Sequence, residues 1–266
     1  MDNTKIGIIG LGYVGNAIKN SMDYALPFYD IKLLDPPKGV YLSYENLKDC
    51  NGIFVCVPSP STDDGSCDTS ILESVLENLN NISYTGVIIS KVTAPPGVYK
   101  QLQKKYKNLV HSPEFLTAAN AEQDYTNAKF VIIGGEVSAY IREAERIIKI
   151  TQTSVKEVIH CSIEEAALSK YIINSFLATK VVFMNEMEQL SRSLGCDWKN
   201  ISNAVKLDSR IGSSHMQVPG GDGTYGFGGM CFPKDTQALV NHAKEYNINL
   251  EVLESAIKKN LFLRLK

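Results

Sequence analysis

The chain has 266 residues, 44% hydrophobic and 21% charged, an ordinary composition for one large or two modest globular domains. Twenty-seven basic residues against 29 acidic ones leave a net charge of −2, so composition supplies no electrostatic footprint for nucleic acid or an anionic membrane. No apolar run approaches the roughly 18 residues a membrane span needs, and the start Met1-Asp2-Asn3-Thr4-Lys5 has no signal-peptide pattern, so the expectation is a cytoplasmic protein.

The first 160 residues alternate short apolar runs with helical patterns. Segments 6–9, 31–34, 53–57, 87–89, 109–110 and 130–133 read as buried strands, and 14–22, 69–79, 97–106 and 137–149 as helices. Strand and helix repeating at this spacing predict an α/β fold, a Rossmann-type, doubly wound parallel sheet. After residue 160 the texture changes. Residues 162–193 form one helical stretch without proline or glycine, with Leu168, Tyr171, Ile172, Phe176, Leu177 and Phe183 at spacings of three and four, and Gly195 as its stop. A shorter helix, a glycine-rich loop over 208–235 and closing helices ending in an amphipathic 250–266 complete an all-helical domain. The expected division is therefore 1–160, sheet-bearing, and 161–266, helical. A helical domain with a leftover apolar face is expected to pair with a second copy, giving a homodimer.

Gly10-Leu11-Gly12-Tyr13-Val14-Gly15 follows the first strand and opens the first helix. In that context the first glycine permits a tight turn, the second lets backbone approach a pyrophosphate, and the third allows close helix packing. The helix N-terminus supplies N–H groups to the anion. Asp35, 20 residues after Gly15 at the end of the second strand, suits a ribose diol and favours NAD, although Lys38 lies close by. Gly10, Gly12, Tyr13, Val14, Gly15 and Asp35 are the expected cofactor contacts.

The six cysteines, Cys50, Cys56, Cys67, Cys161, Cys196 and Cys231, form no CxxC pair, and no Cys/His cluster has zinc-ligand spacing, so no metal is expected. Cys231 stands apart, in a glycine-rich loop and three residues before Lys234, whose ammonium would favour the reactive thiolate. Lys170 and Asn174, four apart on the long helix, share one face. Glu114 follows a proline at a strand end, the edge where open α/β sheets bind ligands.

Several segments in order resemble the UDP-glucose/GDP-mannose dehydrogenase family. They are Val57-Pro58-Ser59-Pro60 with Asp64-Gly65 and Asp68, then Ser90-Lys91-Val92-Thr93-Ala94-Pro95-Pro96-Gly97, then Ser112-Pro113-Glu114-Phe115-Leu116. Lys170-Tyr171-Ile172-Ile173-Asn174 follows, and Gly226-Phe227-Gly228-Gly229-Met230-Cys231-Phe232-Pro233-Lys234-Asp235 is the most specific of all. The resemblance implies four-electron oxidation of a nucleotide sugar's primary alcohol to a carboxylate, with UDP-glucose the default substrate. It implies Cys231 as nucleophile, Lys170 and Asn174 stabilising an oxyanion, and Glu114 activating water against a thioester. It implies Thr93 on the catalytic water and beside the cofactor, Asp235 orienting the lysines, and Val57, Pro58 and Lys234 near NAD. Phe115, Leu116, Phe227, Gly228 and Arg210, in Asp208-Ser209-Arg210-Ile211-Gly212, are implied substrate contacts, Arg210 across a dimer.

Two departures accompany the resemblance. Ala118 and Ala119 stand where the family has a second acid and a glycine, and residues 1–266 hold no match to the family's second α/β domain, which grips the nucleotide. The expectation is thus a short form lacking that domain. Two other readings stay open: a two-electron hydroxyacid or alcohol dehydrogenase of the same architecture, for which a thiol is superfluous, and a non-catalytic NAD-binding remnant.

Overall fold

The computed structural model describes residues 4–23, 29–40 and 43–265; Met1, Asp2 and Asn3 of the N-terminal reading and Lys266 of the last helix lie outside them, as does the side chain of Ala118. The chain separates into two units, Met1–Pro60 with Asp68–Lys170, and Ser61–Cys67 with Tyr171–Lys266.

The first unit is built on seven strands: β1 (Thr4–Ile9), β2 (Tyr29–Leu34), β3 (Gly52–Val55), β4 (Val87–Ser90), β5 (Leu109–His111), β6 (Phe130–Gly134) and β7 (Glu157–Cys161). Their order in the sheet is β2-β1-β3-β4-β5-β6-β7. All pairs are parallel except β5 with β6, which meet antiparallel at His111 and Gly134. Strands β3 and β4 are buried throughout, as continuous apolar runs with covered faces must be. The alternation of strand side chains splits the core into two layers. Ile53, Val55 and Ile88 join one cluster, and Phe54, Val87 and Ile89 the other. The covering helices are α1 (Tyr13–Asp23), α2 (Ser70–Asn81), α3 (Pro96–Lys105), α4 (Ala121–Thr126) and α5 (Ser138–Thr151). Strand β7 and the short α4 have no counterpart among the expected segments. Glu157 and His160 are exposed on β7, so that strand lacks the apolar run by which the others are legible.

Helix α6 (Ile163–Ser193) begins in the first unit and continues into the second. Its start is a capping box: the Glu165 carboxylate accepts the Ser162 N–H at 2.7 Å and the Ser162 hydroxyl accepts the Glu165 N–H at 3.2 Å. Ile163 and Ala167 belong to one apolar layer beside the sheet, so the opening turns of α6 pack with the first unit. The second unit adds α7 (Trp198–Val205), α8 (Phe232–Lys244) and α9 (Glu251–Arg264). Ala178, Val182, Phe227, Ala256 and Leu263 form its apolar cluster. Segment Ser61–Cys67 joins this unit, with Asn241 on α8 donating to the Asp64 carbonyl at 2.8 Å. Among the described residues no helix is long and apolar enough to cross a membrane, and no group of three His, Cys, Asp or Glu could hold a metal.

Candidate active site

Strand β1 lies between β2 and β3, so the chain reverses direction across the sheet there, and ligands of open α/β folds bind at that edge. Three glycines play distinct parts. Gly10 has φ +90, and a β-carbon on it would sit 2.8 Å from the Cys56 carbonyl oxygen. A β-carbon on Gly15 would overlap the Gly10 carbonyl oxygen, so the first turn of α1 packs against the loop only because residue 15 is glycine. Gly12 has no described atom within 4 Å of that position, the open face a pyrophosphate needs. Tyr13 is exposed and Val14 half-buried.

Asp35 is buried, and its Oδ2 accepts the Leu11 N–H at 2.6 Å. The Lys38 ammonium lies 4.0 Å from that oxygen and donates to the Leu11 carbonyl. The loop, the open glycine and the buried acid fit NAD. At the next two strand ends Val57 is half-buried and Pro58 exposed, and the Thr93 carbonyl accepts the Ser59 hydroxyl at 2.7 Å, tying those two loops together.

Deeper in the first unit lies a buried ion pair. Lys91 Nζ stands 3.2 Å from Glu114 Oε2 and 3.2 Å from the Ser112 hydroxyl that accepts from it. Glu114 Oε1 accepts the Phe115 N–H at 3.1 Å. Lys170 donates to the Glu114 main-chain carbonyl and lies 5.2 Å over the Phe115 ring, which itself lies 5.5 Å from that of Phe130. Leu116 packs against the apolar layer nearby. Lys91 received no role from the sequence. Its signal was a cation at the end of an otherwise apolar strand, a position lysine takes only when paired.

Burial sets the charge state of two neighbours. It pushes the Cys56 thiol up to about 12, outweighing the nearby Lys91 ammonium, so Cys56 stays a thiol. It pushes the His111 imidazole down to about 3, only partly opposed by the hydrogen bond with the Ser90 carbonyl, with Lys91 and Lys170 lowering it further. An unfolded imidazole titrates near 6.5, so between about pH 6.5 and 3 the unfolded chain binds a proton the native state refuses. Stability is whole above that window and falls with pH within it, by about 1.4 kcal/mol per unit, or about 2 kcal/mol by pH 5. His111→Phe, which keeps the 4.1 Å stack on Tyr99, should shrink by that amount the difference in urea-unfolding free energy between pH 7 and pH 5. An unchanged difference would refute the neutral imidazole.

In the second unit Cys231 is exposed and sits at the N-cap of α8, and its carbonyl accepts the Asp235 N–H at 2.8 Å. Asp235 is 1% exposed and is shared. Its Oδ2 accepts Asn174 Nδ2 at 2.6 Å and its Oδ1 accepts Lys234 Nζ at 2.6 Å. The structure thus brings Asn174, Lys234 and Asp235 together beside the first turn of the helix that Cys231 caps. Lys170 and Asn174 lie one turn apart on α6, as their spacing requires.

Other expected contacts fare differently. The Phe227 ring is buried in the apolar cluster, and its main-chain N–H and carbonyl are both bonded to Asn260. The Arg264 guanidinium lies against Gly228, 2.7 Å from where a β-carbon would stand. Arg210 has an 87% exposed side chain and pairs only with Asp208, at 2.6 Å, among the contacts described for it. An exposed pair of this kind adds little to stability.

Residues 40–152 match the UDP-glucose/GDP-mannose dehydrogenase family, NAD binding domain, and residues 164–261 match the same family's central domain. The glycine loop and Asp35 precede the first match. The UDP-glucose 6-dehydrogenase of Rickettsia bellii is 31% identical over 96% of this chain. A Bacillus subtilis protein provisionally given the same enzyme name is 33% identical over 94% of it. The chain spans 66% of the length of each of these relatives. A UDP-glucose dehydrogenase structure from Pyrobaculum islandicum shares the fold with a TM-score of 0.81 at 23% identity, covering 97% of this chain and 68% of its own. Mycobacterium tuberculosis 3-hydroxyisobutyrate dehydrogenase also shares it, with a TM-score of 0.73 at 14% identity, covering 96% of this chain and 91% of its own. Fold alone therefore does not choose a reaction. The two matched domains, in order, and relatives aligned over nearly the whole chain do identify the lineage: the chain belongs to the UDP-glucose/GDP-mannose dehydrogenase family.

Proposed function

We propose that this chain, as an NAD-binding domain over 1–160 and a helical domain over 161–266, carries out NAD-dependent oxidation of a nucleotide sugar's C6 alcohol to the carboxylate, with UDP-glucose as substrate. The observation that carries the reading is the exposed Cys231 at the N-terminus of α8, beside a buried Asp235 that binds both Lys234 and Asn174. NAD supplies the acceptor for two hydrides. The first hydride leaves C6 with loss of the alcohol proton and gives an aldehyde. The Cys231 sulfur then adds to that carbonyl carbon, forming a C–S bond and a thiohemiacetal. Lys170 and Asn174 donate to its oxygen as negative charge develops. Departure of the second hydride leaves a thioester, and Glu114, with Thr93 on the same water, activates water to break the C–S bond and regenerate the thiol. One alcohol and one water thus become one acid with two hydrides transferred. This reading sets the reaction in the cytoplasm.

The test is NADH formation against a panel of UDP- and GDP-sugars with the product identified. Two NADH and one carboxylate per UDP-glucose support the reading. One NADH with an aldehyde or ketone product returns the assignment to the two-electron dehydrogenases that share the fold. NAD binding without reduction across the panel leaves a binding protein.

The second unit also exposes Ile172, Phe176, Phe183 and Leu190 along α6, each more than half exposed. Such a stripe on one helix favours a symmetric homodimer through the central helices. Light scattering should give a two-chain mass, and Phe183→Glu a one-chain mass with the fold intact. A one-chain mass for the unaltered protein would remove the dimer.

A further inference from the structure

Two asparagines far from Cys231 in sequence hold the loop that carries it. Asn260, on α9, accepts the Phe227 N–H on its Oδ1 at 2.7 Å and donates its Nδ2 to the Phe227 carbonyl at 2.9 Å. Asn185, on α6, accepts the Gly226 N–H at 3.0 Å while its own Nδ2 donates to the Val181 carbonyl at 2.8 Å, which fixes the amide's orientation. They are 6% and 1% exposed.

Asparagine is a poor helix former, and a buried amide is costly unless its partners are met. Two of them, on different helices, spend that cost on two consecutive loop residues. The loop is shaped to receive them. Gly226 has φ +74, and a β-carbon there would overlap Asn260 Oδ1. The Phe227 ring is anchored beneath, among Ala178, Val182 and Leu263. Farther along the same loop Lys180 donates to the Ile211 and Gly212 carbonyls, at 2.9 and 3.0 Å.

We propose that Asn260 and Asn185 are positioning residues, which fix the main chain of Gly226 and Phe227 and so set where Cys231 presents its sulfur at the N-terminus of α8. A plain packing role would lower stability and nothing else. A positioning role lowers turnover in molecules that are fully folded, because a displacement near 1 Å at a reacting group costs about 100-fold in rate. The turnover readout rests on the oxidation proposed above; a second readout does not.

The experiment compares Asn260→Ala with Val240→Ala, a buried truncation on α8, at temperatures well below both unfolding midpoints. With UDP-glucose, Asn260→Ala should lose about 100-fold in kcat per folded molecule with KM little changed, and Val240→Ala should keep its kcat. The substrate-free readout is iodoacetamide alkylation followed residue by residue, with exposed Cys196 as internal reference. Asn260→Ala should change the ratio of Cys231 to Cys196 rates, and Val240→Ala should not. If Asn260→Ala fails to fold, Asn185→Ser, which deletes the bond to Gly226, gives the same two readouts. An unaltered alkylation ratio overturns the proposal even if the unaltered chain shows no turnover, and a changed ratio in a chain that forms no NADH upholds it while the oxidation reading fails.

Discussion

Cys231→Ala is expected to lower the rate of carboxylate formation by about 10⁴–10⁶-fold, the scale seen when a member of a covalent catalytic unit is removed. The argument rests on how the described cysteines differ. Burial lifts Cys56 to about 12 and Cys161 to about 11, so neither offers a thiolate near neutral pH. Cys231 alone is exposed at the N-cap of a long helix with a buried acid, an amide and an ammonium in its first turn and beside it. A variant without the sulfur could still release one hydride and an aldehyde, so NADH per sugar should drop from two to at most one. Product mass and NADH absorbance from the same reaction decide the matter. Carboxylate formed at the parent rate would take the thiol out of the mechanism.

Gly15→Ala and Gly12→Ala should separate two roles that the glycine pattern fuses. At Gly15 a methyl group would overlap the Gly10 carbonyl oxygen, so the helix must move; overpacking of this kind costs about 1–3 kcal/mol, and NAD binding should fall with the fold. At Gly12 the methyl meets nothing within 4 Å in the described chain, so the melting temperature should hold. The same methyl occupies the space a pyrophosphate needs, and NAD affinity should weaken about tenfold or more, the equivalent of about 1.4 kcal/mol. Thermal melts and fluorescence titration with NADH read both. Unchanged affinity in Gly12→Ala would mean the dinucleotide does not lie over that residue.

What could be read from the sequence follows from how each feature is encoded. Segments such as 53–55 and 87–89 announce themselves because they are buried on both faces and must be apolar throughout. Strand β7, with Glu157 and His160 exposed, has no such signature, and only its register with β6 defines it. The Lys170 and Asn174 spacing is a local helical property and was legible. Lys91 beside Glu114, and Asn260 on Phe227, join residues distant along the chain, and no local pattern reports a long-range contact. Phe227 shows the same limit: nothing in its local motif reports that its ring lies in the apolar cluster with Ala178 and Leu263.

The seven residues Ser61–Cys67 leave the sheet-bearing unit, join the helical one through Asp64 and Asn241, and then return. Severing the backbone once, anywhere, therefore cannot release both halves intact. A fragment ending near residue 160 carries this excursion without the helix it docks on, and a fragment starting there lacks a piece of its own surface. Independent expression of the first half calls for replacing 61–67 with a short closure, whereas complementation of two separately made fragments calls for a first fragment that retains that excursion.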